Sequence, residues 1–234
     1  MAFVKVSEVL KLADAANTSA IAFNCVDFNT AHSVIAVAEE LQKPVIIMLY
    51  PGHCIDNNWS TPAAFAPMVI AEANRVKVPV ALHMDHSSDF EYIKAAIDAG
   101  FTSVMYDGSM LSVEENMKNT REICEYAHAH GYYTKTPKLD LDRLQAINAA
   151  TDVPLVLHGT SGVPDETVRE CIARGMCKVN YATDLRIAFT DGVKEYLQQN
   201  PNAYDPKKYS AVGREKVKQY VMQKIKVCGS DGKA

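Results

Sequence analysis

Six short runs of almost unbroken apolar residues punctuate the chain: 19–24 (SAIAFN), 44–50 (PVIIMLY), 79–85 (PVALHMD), 102–107 (TSVMYD), 154–159 (PLVLHG) and 177–182 (CKVNYA). Runs of this length without polar alternation predict parallel strands buried on both faces. Three open on a proline, at Pro44, Pro79 and Pro154. Proline is tolerated at a strand's first residue, where its missing N–H need not break a ladder. Between the runs the pattern changes to helical spacing. Residues 30–42 put Val34, Ile35, Ala38 and Leu41 on one face. Asp89 predicts an N-cap for a helix closed at Gly100. Ser112 and Glu115 form the S-x-x-E pattern of a capping box, opening a helix that ends near Gly131. Pro164 opens another, closed by Gly175, and the chain beyond about residue 184 is mainly helical.

Strand–helix alternation with buried strands predicts an α/β protein with a parallel sheet. The polar positions then separate an open sheet from a barrel. Asn24, Asp85 with His86, Asp107, His158 and Asn180 all fall at C-terminal strand ends. In a barrel those ends converge on one face. In a doubly wound sheet only the strands near the switch point would carry such groups. The pattern predicts a (β/α)8 TIM barrel, one domain spanning residues 1–234. The strand count is short, however. Only six strands are found, and Asp107 and His158 stand 51 positions apart with two helical patterns between them and no strand.

Composition narrows the function classes. With 48% hydrophobic and 22% charged residues, the chain suits one large soluble domain, or two small ones. A net charge of −4 argues against a nucleic-acid partner. No apolar run approaches the roughly 20 residues of a membrane span. The N-terminal stretch carries Lys5, Lys11 and Asp14 and no apolar core of a signal peptide. Six cysteines without C-x-x-C spacing read as reduced thiols, which predicts a cytoplasmic protein.

The candidate chemistry sits at the strand ends. VPVALH (78–83) and VPLVLH (153–158) are near copies, each delivering a histidine. His86 and His158, beside Asp85, are candidate metal ligands. Imidazole suits zinc, and a catalytic zinc usually has three protein ligands and an open position. Hydrogen-bonded buried histidines weigh about equally. Asp85 can move protons beside a Lewis acid, or serve as a capping or ion-paired aspartate. His83 shares the strand parity of Asp85 and is a candidate supporting residue. His130 fits the last turn of its helix, favourable at the negative end of the dipole. It is also the candidate third ligand. Gly159-Thr160-Ser161-Gly162 is a turn small enough to aim backbone N–H groups at an anion, and Asn180 to Thr183 can form a second lip. Each of these alone is more readily a plain turn. Asp107-Gly108-Ser109 also reads as a turn.

Taken together, these residues resemble the class II ketose-bisphosphate aldolases, zinc-dependent (β/α)8 enzymes. The matching pieces are AFNC (22–25), PVIIMLYPG (44–52), ALHMDH (81–86), AGFTSVMYDGS (99–109), PLVLHGTSGVP (154–164), GMCKVNYATDLRIAF (175–189) and VCGSDGKA (227–234). ALHxDH followed by LVLHGxSG is specific in combination. The resemblance implies reversible cleavage of a ketose 1,6-bisphosphate, fructose or tagatose, into dihydroxyacetone phosphate and glyceraldehyde 3-phosphate. It implies His86 and His158 as zinc ligands and Asp85 as the proton-transfer carboxylate. Gly159, Ser161, Asn180 and Thr183 would hold a phosphate, with Asn24 near the ketose. A homodimer or homotetramer is expected, and a monovalent cation is a further candidate cofactor. Ala182 and the VCGS ending look nearer the tagatose branch. Tyr50 departs from the family, which usually carries a small hydroxyl residue there.

The larger departure is an absence. The family's VEAELG strand, the helix after it and the next strand have no counterpart. The same His130-Gly131 serves the match on either side. About fifty residues, one strand–helix–strand unit, are missing near residue 131. A glutamate that the family uses as an acid goes with them. The third ligand is then His130, or it is gone. Either the segment exists in the protein beyond this sequence, or the deletion is real and leaves two unpaired sheet edges. An aldolase-like subunit without turnover, binding a partner chain or phosphate, is the competing reading. A zinc hydrolase, argued from the histidines and aspartate alone, lacks a water-activating motif.

Overall fold

The computed structural model describes residues 2–52, 60–129, 141–151, 154–161 and 163–229. The strands are β1 (Ala20–Asn24), β2 (Val45–Leu49), β3 (Val80–Ser87), β4 (Ser103–Tyr106), β5 (Leu155–Leu157) and β6 (Met176–Tyr181). All pair in parallel, in the order β4-β3-β2-β1-β6-β5. Three of them start one residue after the expected proline. Proline brings no N–H to the ladder, yet the Pro79 carbonyl still accepts from Val45 N at 3.0 Å.

The sheet is strongly curled. β3 and β5 stand four places apart, which in a flat sheet is about 19 Å at ~4.8 Å per strand. Yet Nε2 of His86, near the end of β3, lies 3.2 Å from Nδ1 of His158, just past β5. Only a sheet rolled into part of a barrel brings those ends together. Among the described residues β4 and β5 each pair on one side only. They flank the interval in which a (β/α)8 barrel would carry two more strands. The architecture is therefore the expected α/β barrel type, a curled part-barrel with six strands among the described residues.

The two faces of the strands bury different cores. Ala20, Ala22, Ile46, Met48 and Ala81 point inward and pack with Val6, Val9 and Ala13 of α1 (Val6–Ala15). This helix plugs the N-terminal end, where Ala2 and Val4 extend the sheet through backbone bonds to Val80 of 2.7 and 2.9 Å. Phe23, Ile47, Leu82 and Val179 point outward into the layer beneath the surrounding helices. Those helices are α2 (Phe28–Glu40), α3 (Pro62–Ala73), α4 (Phe90–Asp98), α5 (Val113–Ala129), α6 (Leu141–Ala150), α7 (Asp165–Ala173), α8 (Thr183–Gln199) and α9 (Pro206–Val227).

Caps set where the helices start. α2 begins two residues earlier than periodicity suggests, because Asp27 and Thr30 close a capping box: the Asp27 carboxylate accepts from Thr30 N at 2.9 Å and Thr30 Oγ1 from Asp27 N at 3.2 Å. Asp89 accepts from Glu91 N and Tyr92 N, and Ser112 pairs reciprocally with Glu115, as expected. Gly100 closes α4 with φ +101°. The expected helix end at His130-Gly131 lies outside the described residues.

α8 starts at the mouth of the barrel and is held from behind by α9. A Cβ on Gly192 of α8 would lie 2.7 Å from the Val212 carbonyl and 2.9 Å from Gly213 Cα. Backbone meets backbone there, so the clash has no side chain to relieve it. Gly192→Ala is expected to destabilise the protein by about 1–3 kcal/mol. A circular-dichroism melt reads this as a midpoint lowered by at least ~2 °C.

Candidate active site

Asp85 and His86 are neighbours, and in a regular strand neighbouring side chains face opposite ways. β3 breaks that rule. Met84 pairs with Val104 and Ser87 with Tyr106, so three steps along β3 match two along β4. The extra residue is a β-bulge. His86 absorbs it with φ +31°, in the left-handed region that residues other than glycine seldom enter. Such a conformation costs about 1–3 kcal/mol. Its result is that both side chains meet over the mouth, with His86 Nε2 3.9 Å from Asp85 Oδ1.

The lone pairs there point at one another. The Asp107 carboxylate accepts from His86 Nδ1 at 2.8 Å. Asp107 also accepts from Ser109 N at 3.0 Å, and its bonds to Ser109 and His86 hold its carboxyl below the usual range. With its proton on Nδ1, His86 turns an unprotonated Nε2 to the site. Asn180 Nδ2 donates to His158 Nδ1 at 3.1 Å, so that nitrogen is an acceptor too. It lies 3.2 Å from His86 Nε2 and 3.6 Å from Asp85 Oδ1. Asp85 is buried. Its Oδ2 accepts from Asn24 Nδ2 at 2.7 Å, whereas Oδ1 has no hydrogen bond among the described residues.

Three acceptors crowded without a proton between them repel unless a cation sits among them. Asp85, His86 and His158 offer one ligand atom each, all within 4.8 Å of one another. The nitrogen spacing of 3.2 Å is close to the ~3.3 Å edge of a tetrahedron with zinc–nitrogen bonds of about 2.0–2.1 Å. These residues fit a metal ion. Burial pushes the His158 imidazole down to about 4, against the pull of Asp85, so the ring stays neutral as a ligand must. His83 is held well below its ordinary range by burial, with the charge of Lys178 adding to the effect. Its Nδ1 bonds Ser103 Oγ at 2.9 Å and its Nε2 lies 3.9 Å from Asp85 Oδ1. Tyr50 stands edge-on to His86, ring centres 6.5 Å apart.

The two expected anion-binding lips are adjacent. Gly159 takes φ +64° directly after His158, and the chain turns back toward α8. Ser161 Oγ accepts from Ala182 N at 3.4 Å and Asp184 N at 3.5 Å, while Thr160 N donates to the Asn180 carbonyl at 3.3 Å. Both segments thus meet at the N-terminus of α8, where the helix dipole favours an anion. Thr183 opens that helix, and its Oγ1 accepts from Arg186 Nη2 at 3.2 Å. Of the expected site residues, Asn24, Asp85, His86, His158, Gly159, Ser161, Asn180 and Thr183 gather at this end of the barrel. His130 lies outside the described residues. Two polar residues were given no role at the site from the sequence. Asp107 is a polar strand end that also reads as a turn. Lys178 is signalled only as a charge within the apolar run CKVNYA.

The model of the family described as class-II fructose-bisphosphate aldolase matches residues 4–133 and 128–233. A fructose-bisphosphate aldolase of Geobacillus stearothermophilus is 33% identical over 286 aligned positions, covering 100% of this chain and 99% of the relative. The YdjI aldolase of Escherichia coli K12 superposes with a TM-score of 0.86 at 29% identity, over 98% of each chain. The fructose-bisphosphate aldolase of Campylobacter jejuni shares the fold, with a TM-score of 0.87 at 19% identity over 99% of this chain and 97% of its own.

Two outcomes follow from the site geometry. Asp107→Asn removes the carboxylate that fixes the His86 tautomer, so affinity for an added divalent metal ion is expected to fall about 10–100-fold with the fold intact. Chelator competition measures this. Stability of the metal-free protein is expected to fall as pH drops from about 6.5 toward 4. His158 binds its proton more weakly folded than unfolded, so acid favours the unfolded chain across that window. Urea midpoints across the pH range check this.

Proposed function

The chain belongs to the class II fructose-bisphosphate aldolase family, and on that premise we propose a zinc-dependent cleavage of a ketose 1,6-bisphosphate into dihydroxyacetone phosphate and glyceraldehyde 3-phosphate. The observation that carries this reading is the set of facing acceptors on Asp85, His86 and His158, beside the anion-favouring N-terminus of α8. His86 and His158 are the metal ligands in this assignment. Zinc, when bound, supplies Lewis-acid stabilisation of the charge that develops on the three-carbon half.

Asp85 takes the proton. Asn24 fixes its Oδ2, which leaves Oδ1 free to accept from the C4 hydroxyl of the ketose. Loss of that proton lets the C3–C4 bond break, the aldehyde leave and the electron pair remain on the dihydroxyacetone phosphate fragment. Gly159, Ser161, Asn180 and Thr183 are assigned to one substrate phosphate. Ala182, whose N–H bonds Ser161, lies on the same lip. Its small side chain and the VCGS ending favour a tagatose-type substrate over fructose. The protein is read as a cytoplasmic homodimer or homotetramer, with a monovalent cation as a candidate second ion.

A second reading is a subunit that binds zinc and phosphate without turnover. The 286-position alignment against a chain of 234 residues supports it, as do family matches that overlap at residues 128–133. The lost segment carries the family's acid glutamate, which bears on returning a proton to C3.

A coupled assay for dihydroxyacetone phosphate separates the readings. The aldolase reading expects turnover of fructose or tagatose 1,6-bisphosphate that chelator abolishes and zinc restores. Zinc binding without turnover supports the second reading. Asp85→Ala is expected to keep zinc and lose about 10²–10⁴-fold in kcat. An unchanged rate removes Asp85 from the mechanism.

A further inference from the structure

Lys178 occupies an inward position of β6, two residues before Asn180 and so about 7 Å deeper along the strand. It is 3% exposed. Around it on β1, β2 and β3 the inward residues Ala20, Ala22, Ile46, Met48 and Ala81 are apolar, and the next inward residue of β3 toward the mouth is His83. Its ammonium reaches across β1 to the Met48 sulfur on β2, at 3.7 Å. Thioether sulfur is a weak acceptor. No carboxylate lies within ion-pair distance of Lys178 among the described residues. A methionine or leucine would fill the same space without the cost of desolvating a charge.

The charge is nevertheless felt at the mouth. Burial pushes the Lys178 ammonium down to about 8, and the Asp85 carboxylate is the charge that opposes the fall. Met48, which the ammonium meets, is the register partner of His83 on β3, and Asn180, two residues further along β6, bonds His158. The buried cation therefore lies just inside the barrel from the polar residues at the mouth.

We propose that Lys178 is a positioning residue for the aldol step, supplying from inside the barrel a fixed positive charge beneath the centre where negative charge builds on the three-carbon fragment. This rests on the aldolase reading above. Preorganised charge of this kind acts mainly on the transition state, where the charge develops. It also opposes a divalent cation in the same place, so removing it must tighten the metal site.

The test is Lys178→Met in the full chain, with three readouts beside wild type. Steady-state kinetics are expected to show kcat lowered about 10–100-fold with KM within about twofold. Chelator competition on the metal-free protein is expected to show zinc bound at least about tenfold more tightly. The thermal midpoint is expected to be unchanged or raised, because an unpaired buried charge is gone. Slower turnover together with tighter zinc is what a packing role cannot produce. Unchanged zinc affinity overturns the proposal, as does loss of zinc together with a lowered midpoint. If wild type binds zinc but turns over neither bisphosphate, the aldolase reading fails. The zinc arm then decides alone whether Lys178 sets the charge of the site.

Discussion

His86 and His158 stand 3.2 Å apart although four strand spacings separate β3 from β5, and the curl that delivers this distance governs everything at the mouth. Strand twist alone rolls a parallel sheet gradually. Here the roll is fixed from both sides. Inside, small residues on β1 and β3 let α1 seat against the sheet. Outside, α9 anchors the late elements. Lys224 pairs with Asp165 at 2.6 Å and lies over the rings of Tyr181 and Tyr220, 5.6 and 5.4 Å from their centres. Tyr220 in turn donates to Asp184 at 3.3 Å, in the first turn of α8. β6, α7 and α8 are thereby tied to one helix, and the anion-favouring helix end cannot shift independently of the strand that carries Asn180.

Within that frame a single bulge decides the chemistry. Without it, Asp85 would face the barrel and His86 the helix layer, and no shared cluster could form. The strained φ at His86 is tolerated because its neighbours are fixed on both sides: Met84 is buried in the outer core and Ser87 holds Asp89 N at 3.2 Å. Asp107 then stabilises the ring orientation that the bulge creates. Strain and polar crowding are both concentrated on the residues assigned to metal and proton, while the scaffold beneath them is ordinary close-packed aliphatic core.

Much of this was legible in the sequence. Apolar runs gave the six strands to within two residues at either end, because doubly buried strands admit few polar positions. Polar strand ends separated barrel from open sheet, since only a closed or curling sheet gathers five of them. Asp89, Ser112 and Gly100 behaved as local signals should, their partners lying within four residues. The bulge was not legible, because DHSS carries no glycine to mark a left-handed residue. Asp107 was legible as a polar strand end but its bond to His86 was not, because Asp107-Gly108-Ser109 also reads as a turn, whose Ser109 N–H it accepts. Lys178 could not be placed without knowing which strand face lines the barrel. That depends on the curl, a property of the whole sheet rather than of CKVNYA.

The two strands that pair on one side among the described residues bear on the same site. β4 carries Ser103 and leads to Asp107, and β5 leads to His158, so the two one-sided strands support both imidazoles. β5 is only three residues long and shifts register against β6. Its ladder alone is a poor mount for a ligand. The segment after it is instead fastened sideways to β6 and α8: His158 through Asn180, Thr160 through the Asn180 carbonyl, and Ser161 through two amides at the start of α8. These bonds run toward β6 and α8 rather than toward β4, so where His158 sits depends little on what lines the flank between β4 and β5. In the proposed cleavage, the step that would draw on that flank is the return of a proton to C3, whereas removal of the C4 hydroxyl proton, the role assigned to Asp85, rests on β1, β3 and their shared hydrogen bond.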